Sequence, residues 1–404
     1  MSFKYKFLAA SRRSANFKVQ LERTKQAIRY NQISFARMRQ HNQKLINSLK
    51  NESYDEYARK RFLTHDQEIS KSAAIEINNS CNINCAMCDT KSSPRQKQLM
   101  NLDVFEKAVI QLKASGVESV TLHTIGDPLA NPRIAKIFSI LRRHNLHTGF
   151  LSTNGLLLEK HLDTLVEFKD IVGNLRLSVD GATKATYEQI RVGGNWEELE
   201  RNIEVAHKHL TPKGYEFYFD FTLTLGNFNE IGMFLDKFRK YTSSIYNINF
   251  HFMNSLAPNN TFFILNNCLP EHTHQNSFCK SVSAFKPYVL VDGQVSACAR
   301  DYDGSLIVGS IHSNTGSIDV SSSLMMSKLR SATTDQTLAE SNFPLCASCF
   351  VVDSRICEIW NNASQYIKYT TPKGTSAEYQ NAYDRLIAAL REKRFEDNAI
   401  LMRS

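Results

Sequence analysis

The sequence predicts an α/β protein built on a partial (β/α)6 barrel, with a small C-terminal cysteine-ligated α+β domain and an N-terminal helical extension. Three observations carry that expectation. A strand, loop and helix pattern repeats from Ser72 to about Met253; the pattern is absent before and after; and cysteines cluster at short spacings just past the first strand and again downstream. The expected organisation is a basic helical extension over residues 1–70, the barrel over 71–253, a cysteine-held domain over 254–363 and a helical tail over 364–404.

The first element is a helix over about Val19 to Lys50. Leu21, Ile28, Phe35 and Leu49 fall at an imperfect seven-residue spacing, interrupted by Thr24, Asn31 and Asn42. Such a stripe suits a helix lying on the main domain or pairing with a second copy. Strands follow at Ala74 to Asn78, Ser119 to Thr124, His147 to Ser152, Leu175 to Val179, Tyr218 to Leu225 and Ile245 to Phe252. Between them the periodicity predicts helices at Leu102 to Ala114, Pro132 to His144, and near 156–168, 183–191, 196–209 and 229–240. Six such units make a parallel sheet covered by helices, and in barrels the chemistry sits where the strands end. Past Met253, Pro, Asn and Ser become frequent. Tyr288 to Val291 and Val295 to Ala297 then flank a turn at Asp292 and Gly293, the pattern of a hairpin. Helix returns from Ala377 to Leu401.

The 404 residues are 42% hydrophobic and 22% charged, the composition of an ordinary globular chain, and no apolar run approaches the roughly 20 residues that span a bilayer. The N-terminal MSFKYKFLAASRR, interrupted by Lys4 and Lys6, is too weak for the core of a secretory signal, so a cytoplasmic location is expected. The net charge of +9 is uneven: residues 1–68 hold 15 Lys and Arg against 6 Asp and Glu. A basic arm suits an acidic partner, nucleic acid or an anionic surface, or is simply a solvated helical face. It shows no aromatic platform of an RNA module, which argues against nucleic acid.

Nine cysteines in a reducing compartment point to metal rather than to disulfides. Cys81, Cys85 and Cys88 have the spacing C-x3-C-x2-C in the loop after the first strand. Three thiolates on one loop can hold three irons of a cubane and leave the fourth open, and an open coordination position is where a reactant binds. A structural zinc site wants four ligands, and His65 is poorly placed in sequence to complete one.

This triad resembles the signature of the radical S-adenosylmethionine superfamily, and the resemblance spans roughly residues 72–253. It implies a 4Fe-4S cluster on Cys81, Cys85 and Cys88 whose open iron chelates S-adenosylmethionine, reductive cleavage to a 5′-deoxyadenosyl radical, and an external electron donor such as flavodoxin or ferredoxin. Thr124-Ile125-Gly126-Asp127-Pro128 resembles the family's Gly-Gly-Glu-Pro motif, with Asp127 in place of Glu, and implies an acceptor for the methionine amino group. Ser152-Thr153-Asn154-Gly155 resembles the turn that contacts the ribose. Ser178, in Leu177-Ser178-Val179-Asp180-Gly181, and Arg191 are the implied pair for the methionine carboxylate. Singly, Asn-Gly, Asp-Gly and Gly-Asp-Pro are common turns. Their order, each at the end of a predicted strand, is what makes them a set.

Downstream, Cys279 and Cys298 bracket the hairpin, and Cys346-x2-Cys349 follows. Gly293 permits the tight reversal that brings the hairpin ends together. Four thiolates saturate one 4Fe-4S cluster; a zinc ribbon is the structural alternative. The spacing resembles the auxiliary-cluster domain called SPASM, or its shorter relative twitch, and implies one auxiliary cluster, with Val308-Gly309-Ser310-Ile311 through Lys328-Leu329-Arg330 as the linker. Cys268 and Cys357 are left over as candidate hydrogen donors to a substrate radical, against the plain reading of small buried apolar residues.

The resemblance implies an oxidoreductase in which the adenosyl radical takes hydrogen from a substrate C–H bond. Among the outcomes it implies, dehydrogenation or epimerisation of a sugar or polyol leads, and modification of a ribosomally made peptide is the rival. A non-enzymatic iron–sulfur or zinc protein with a nucleic-acid- or membrane-binding basic arm stands as the alternative of another class.

Overall fold

The computed structural model describes residues 36–53, 56–57, 69–88, 90, 93–252, 273–275, 285–313, 316–318, 320, 323–332, 342–347, 349–352 and 354–391. The expectations for residues 1–35, His65, Cys268, Cys279 and the tail past 391 lie outside them.

Six strands alternate with helices in the predicted order: β1 (Ser72–Ile75), β2 (Ser119–Thr121), β3 (Thr148–Thr153), β4 (Val172–Ser178), β5 (Phe217–Leu223) and β6 (Ile248–Phe252). All neighbouring pairs are parallel, β1 with β2 and β3 through β6 in sequence. A parallel bridge between Ser119 and His147, with Val120 N–H donating to His147 O at 3.0 Å, continues β2 into β3. The result is an α/β half-barrel of the predicted class. Helix α1 covers residues 36–51, and α2 (Leu102–Ala114), α3 (Ile134–Arg143), α4 (Leu162–Glu167), α5 (Lys184–Ile190), α6 (Trp196–Leu210) and α7 (Ile231–Phe238) lie between the strands.

Each strand has two faces, because side chains alternate. On β5, Phe217, Phe219, Phe221 and Leu223 are buried against helices, where Phe221 stacks edge-on with Phe234. Tyr218, Asp220 and Thr222 take the other face, towards the lumen. The ladder sets Ser152 beside Arg176 and Tyr218, Ser178 beside Asp220 and Asn249, and Thr222 beside His251. The barrel thus has an aromatic, aliphatic outside and a polar inside.

Three observations differ from the sequence expectations. First, β1 lies earlier than Ala74 to Asn78, ending at Ile75, and the Glu76 carboxylate just past it is held by Arg95 from the following loop. Second, the hairpin is not detached from the barrel. Strand β8 (Tyr288–Val289) pairs parallel with β1, and β9 (Gln294–Ser296) and β10 (Ile307–Ser310) extend the same sheet, giving the order β10-β9-β8-β1-β2. Strands β7 (Thr273–Gln275) and β11 (Phe350–Val352) form a separate antiparallel pair. Third, after α8 (Leu324–Ala332) and α9 (Pro344–Ala347), helix α10 (Ser354–Thr370) crosses the expected boundary at 363/364. Its stripe of Ile356, Ile359, Trp360, Ala363 and Ile367 is fully amphipathic.

That helix closes the open edge of the half-barrel. An edge strand carries unpaired carbonyls; here Trp360 Nε1 donates to Phe250 O at 3.1 Å, and Lys368 Nζ donates to Ile248 O. Helix α1 lies on α10 as one of the two readings of its stripe anticipated. Leu45 and Ile46 are buried, Arg355 donates to Ser48 O and Glu52 O, and His41 meets Glu358 at 2.7 Å. Helix α11 (Ser376–Arg391) packs on α7 at Gly232, where a Cβ would stand 1.9 Å from Ser376 O, so only glycine fits. No helix among the described residues is long and apolar enough to cross a membrane.

Candidate active site

A cavity of about 460 Å³ opens at the C-terminal ends of the strands. It is lined by Cys81, Cys85 and Cys88, by Gly126, Asp127, Ser152, Asn154, Ser178 and Arg191, and by His123, Thr222, His251, Arg300 and Tyr302. The cysteine loop, the ends of β2 to β6 and the segment after β9 therefore meet at one place.

Each cysteine of the first set has a polar neighbour at its sulfur. Asn154 Nδ2 lies 3.6 Å from Cys81 Sγ, Arg191 Nη1 lies 3.5 Å from Cys85 Sγ, and Thr90 Oγ1 lies 2.9 Å from Cys88 Sγ. Burial pushes the free Cys81 thiol up to about 11 and that of Cys85 upward as well, against the opposing pull of Arg191. Sulfurs so placed become thiolates only with a strong cationic partner. Among the described residues no three His, Cys, Asp or Glu side chains gather closely enough to hold one metal ion; a cubane takes each thiolate on a different iron. Donors aimed at the sulfurs, and the buried Arg191 Nε that has no hydrogen-bond partner, fit an iron–sulfur cluster with a chelated ligand.

Gly126, at φ +92°, is required where it stands. A Cβ there would lie 2.6 Å from Ser80 O and 2.8 Å from Asn78 O, so glycine lets the end of β2 touch the loop that leads into Cys81. The motif was expected to offer the methionine amino group a carbonyl or a carboxylate acceptor, and the Asp127 carboxylate is engaged within the protein. That carboxylate already accepts from Leu129 N at 2.9 Å, from Thr153 Oγ1, and from Asn154 N at 2.7 Å. Burial raises its pKa, and these donors oppose the rise. The carbonyls of Thr124, Ile125 and Gly126 accept no hydrogen bond among the described residues and are the acceptors this motif still offers. Pro128 opens a short 3-10 turn, Pro128–Ala130, and is not a lining residue.

Ser152 and Ser178 reach the cavity from the ends of β3 and β4. Arg191 is buried and ion-paired with Asp180 at 2.5 Å. Burial acts to deprotonate it, but Asp180 and Cys85 outweigh that effect and raise its pKa. Asp180 sits at φ +60°, and its other oxygen accepts from Thr222 N at 2.6 Å. The Asp-Gly turn visible in the sequence is thus the anchor that aims Arg191 at Cys85.

Of the second set, Cys298, Cys346, Cys349 and Cys357 are described. Arg300 joins two of them: its backbone N–H donates to Cys298 Sγ at 3.4 Å and its Nη1 to Cys349 Sγ at 3.8 Å. Cys349 N–H turns back to Cys346 O at 3.1 Å. Cys357 lies on α10 and is not among the residues that line the cavity.

Sequence reasoning missed the polar cluster around His251, which lines the cavity. On the lumen side Asp220 accepts from Asn249 Nδ2 at 3.1 Å, contacts His251 Nε2 at 3.2 Å and meets Arg176 Nε at 3.4 Å. Burial pushes Asp220 up, yet His251, Arg176 and Asn249 carry it below the usual carboxylate range. His123 is held down to about 4, first by burial and then by Lys286 and Arg176. The alternation of Tyr218, Asp220 and Thr222 with buried Phe and Leu was the available signal. Also missed was Arg95, which pairs with Glu76 at 2.9 Å and donates through Nε to Tyr302 O at 3.0 Å, while Thr124 Oγ1 donates to Glu76.

Comparison with known proteins agrees with this architecture. Residues 75–238 match the Radical SAM superfamily. A probable GTP 3′,8-cyclase of Methanococcus maripaludis is 29% identical over 150 residues, 36% of this chain and 49% of that protein. The GTP 3′,8-cyclase of Chlorobaculum tepidum is 28% identical over 142 residues, 34% of this chain and 42% of that protein. The chain spans about half the length of the curated relatives it matches. Among solved structures, Streptococcus suis SuiB bound to precursor peptide SuiA shares the fold with a TM-score of 0.50 at 12% identity, over 72% of this chain and 74% of that one. The family implies a 4Fe-4S cluster and S-adenosylmethionine, and the three-cysteine cavity at the strand ends is where the residues for both come together. Residues 75–238 are a radical SAM domain.

Proposed function

We propose that the chain dehydrogenates a carbinol carbon of a small sugar- or polyol-type molecule held in the barrel lumen. The observation that carries this reading is the polar inner face. Ser178, Thr222, Asn249, His251, Asp220 and Arg176 present hydroxyl, amide and ionic groups in successive rows, the complement of a molecule dense in hydroxyls. A sugar-bearing substrate is also what the relatives' name, GTP 3′,8-cyclase, specifies.

When bound, the cluster and S-adenosylmethionine supply a 5′-deoxyadenosyl radical at the cavity. Cys81, Cys85 and Cys88 hold the cluster; Arg191, aimed by Asp180, and Ser178 face the methionine carboxylate. The carbonyls of Thr124 to Gly126 take the amino group; Ser152 and Asn154 border the ribose. Cys298, Cys346 and Cys349, with Cys279 as the fourth ligand, hold an auxiliary cluster as electron acceptor. Arg300, which lines the cavity and donates to Cys349, supports placing that acceptor beside the substrate.

The test incubates anaerobically reconstituted, reduced protein with S-adenosylmethionine and, separately, myo-inositol, sorbitol, glucosamine, GTP or a peptide library. A polyol or sugar should accelerate 5′-deoxyadenosine formation and yield a product two hydrogens lighter. Stimulation by GTP or peptides alone, a product of unchanged mass, or formation of S-adenosylhomocysteine overturns the reading.

A further inference from the structure

His251, which lines the cavity, pairs with Asp220, and cluster and cosubstrate binding leave both unused. His251, one residue before the end of β6, has a side chain 47% exposed at the cavity. Asp220, one strand away, is held ionised by Arg176, Asn249 and His251, so it can only accept hydrogen bonds. The His251 nitrogen facing it, Nε2, therefore carries the proton. In the neutral ring the lone pair is then on Nδ1, which accepts no hydrogen bond among the described residues.

The other basic groups lining the cavity are less suited to taking a proton. His123 is driven down to about 4, Asp127 is occupied by Leu129, Thr153 and Asn154, and Arg191 and Arg300 are cations without acceptor atoms. The charged and titratable groups around His251 are Asp220 on β5, Arg176 on β4, His123 after β2, and Arg300 and Tyr302 after β9.

We propose that His251 is the proton acceptor for the substrate hydroxyl, with Asp220 as its positioning residue. The inference rests on the dehydrogenase reading above. Removal of hydrogen from the carbinol carbon leaves a carbon radical bearing O–H, and that O–H is far more acidic than the parent alcohol, so an imidazole suffices. The C–H hydrogen atom goes to the 5′-carbon of deoxyadenosyl, the O–H proton goes to His251 Nδ1, and one electron goes to an acceptor of the iron–sulfur class as the C=O bond forms. Asp220 stabilises the imidazolium, and Arg176 and Asn249 hold Asp220 in place.

The experiment compares holoenzyme with His251→Gln and Asp220→Asn. It uses whichever of myo-inositol, sorbitol or glucosamine most accelerates 5′-deoxyadenosine formation by the wild type, deuterated at its carbinol carbons. In His251→Gln, ketone formation should fall about 100-fold or more. Deuterium should still reach 5′-deoxyadenosine, so the ratio of 5′-deoxyadenosine to ketone rises well above that of the wild type. The acid limb of the wild-type pH profile for ketone formation should be absent from the variant, and Asp220→Asn should keep that limb with a smaller loss. Iron content and S-adenosylmethionine affinity, measured alongside, should be unchanged. An unaltered ratio and an unaltered acid limb in His251→Gln overturn the inference while leaving the dehydrogenase reading intact. If no polyol yields ketone with the wild type, the dehydrogenase reading itself fails.

Discussion

Lys368 gives the fold a pH dependence that can be worked through. Its ammonium is buried beneath α10, donates to Ile248 O on the β6 edge and lies 5.5 Å from the Phe250 ring centre, and burial lowers its pKa from 10.5 to about 7. Below about pH 7 the folded and unfolded chains both carry the proton, and above 10.5 neither does. Between those limits the unfolded chain binds more protons, so stability rises with pH and is lost as pH falls through the folded value. The slope attributable to one such group approaches about 1.4 kcal/mol per pH unit, or about 2 kcal/mol between pH 7.5 and 9.0. Lys368→Met keeps the stem and removes the titration. It also removes the bond to Ile248 O, which costs about 1 kcal/mol at every pH and so leaves the slope untouched. Urea unfolding of both proteins at the two pH values isolates the effect as a difference of differences, in which every other titrating group cancels. The wild type should gain about 2 kcal/mol more than Lys368→Met between pH 7.5 and 9.0. Equal gains would falsify a neutral, edge-capping Lys368.

Changing Cys81, Cys85 and Cys88 together to Ala should remove about four irons and abolish 5′-deoxyadenosine formation, with an auxiliary-cluster spectrum remaining; loss of all iron–sulfur absorbance would show that the two sets are not independent. Asp127→Asn turns one acceptor into a donor facing Thr153 and Asn154, and should destabilise the apoprotein by about 2–3 kcal/mol in urea. A change confined to S-adenosylmethionine affinity would instead mark the carboxylate as a direct ligand. Glu76→Gln leaves Arg95 without its buried partner and should cost about 3–5 kcal/mol, whereas Lys71→Gln, at an exposed pair, should cost under about 1 kcal/mol; similar effects at the two sites would refute the distinction.

The outside of the barrel was legible in the sequence because its chemistry is periodic. Phe217, Phe219, Phe221 and Leu223 alternate with polar residues, and Phe234, Leu235 and Phe238 repeat at helical spacing, so strand and helix were separable. The cysteine loop was legible because its three ligands are local. What stayed hidden depends on partners distant in sequence. Arg95 reads as a loop cation until Glu76 and Tyr302 are placed around it, and Asp127 reads as a ligand until Thr153 and Asn154 are seen to occupy it. The α10 stripe was visible in principle, but Cys357 within it drew the segment into the cysteine-held domain. His251 offered no signal alone; its role comes from the register that sets Thr222 beside it, one row beyond Asp220.

The pairing of β8 with β1 has a consequence for how the two cysteine sets work together. Ala74 stands opposite Tyr288 and Ile75 opposite Val289, so the strand that leads into Cys81 and the hairpin that leads into Cys298 share one ladder. A slip of one residue would turn every side chain of the hairpin to the other face and remove Arg300 from the cavity. Backbone bonds from Ser70 N to Phe285 O, Ala74 N to Pro287 O and Glu76 N to Val289 O fix the register of that ladder. Past its end Glu76 holds Arg95, and Arg95 and Ser93 both donate to Tyr302 O, so the cysteine loop grips the segment just beyond Cys298. Thr124 ties the end of β2 to the same carboxylate. The first cysteine loop and the segment that carries Arg300 are therefore held together by this strand pairing and by a buried ion pair. Loosening Glu76 or Arg95 should disturb both cysteine sets at once, even though neither residue contacts a sulfur.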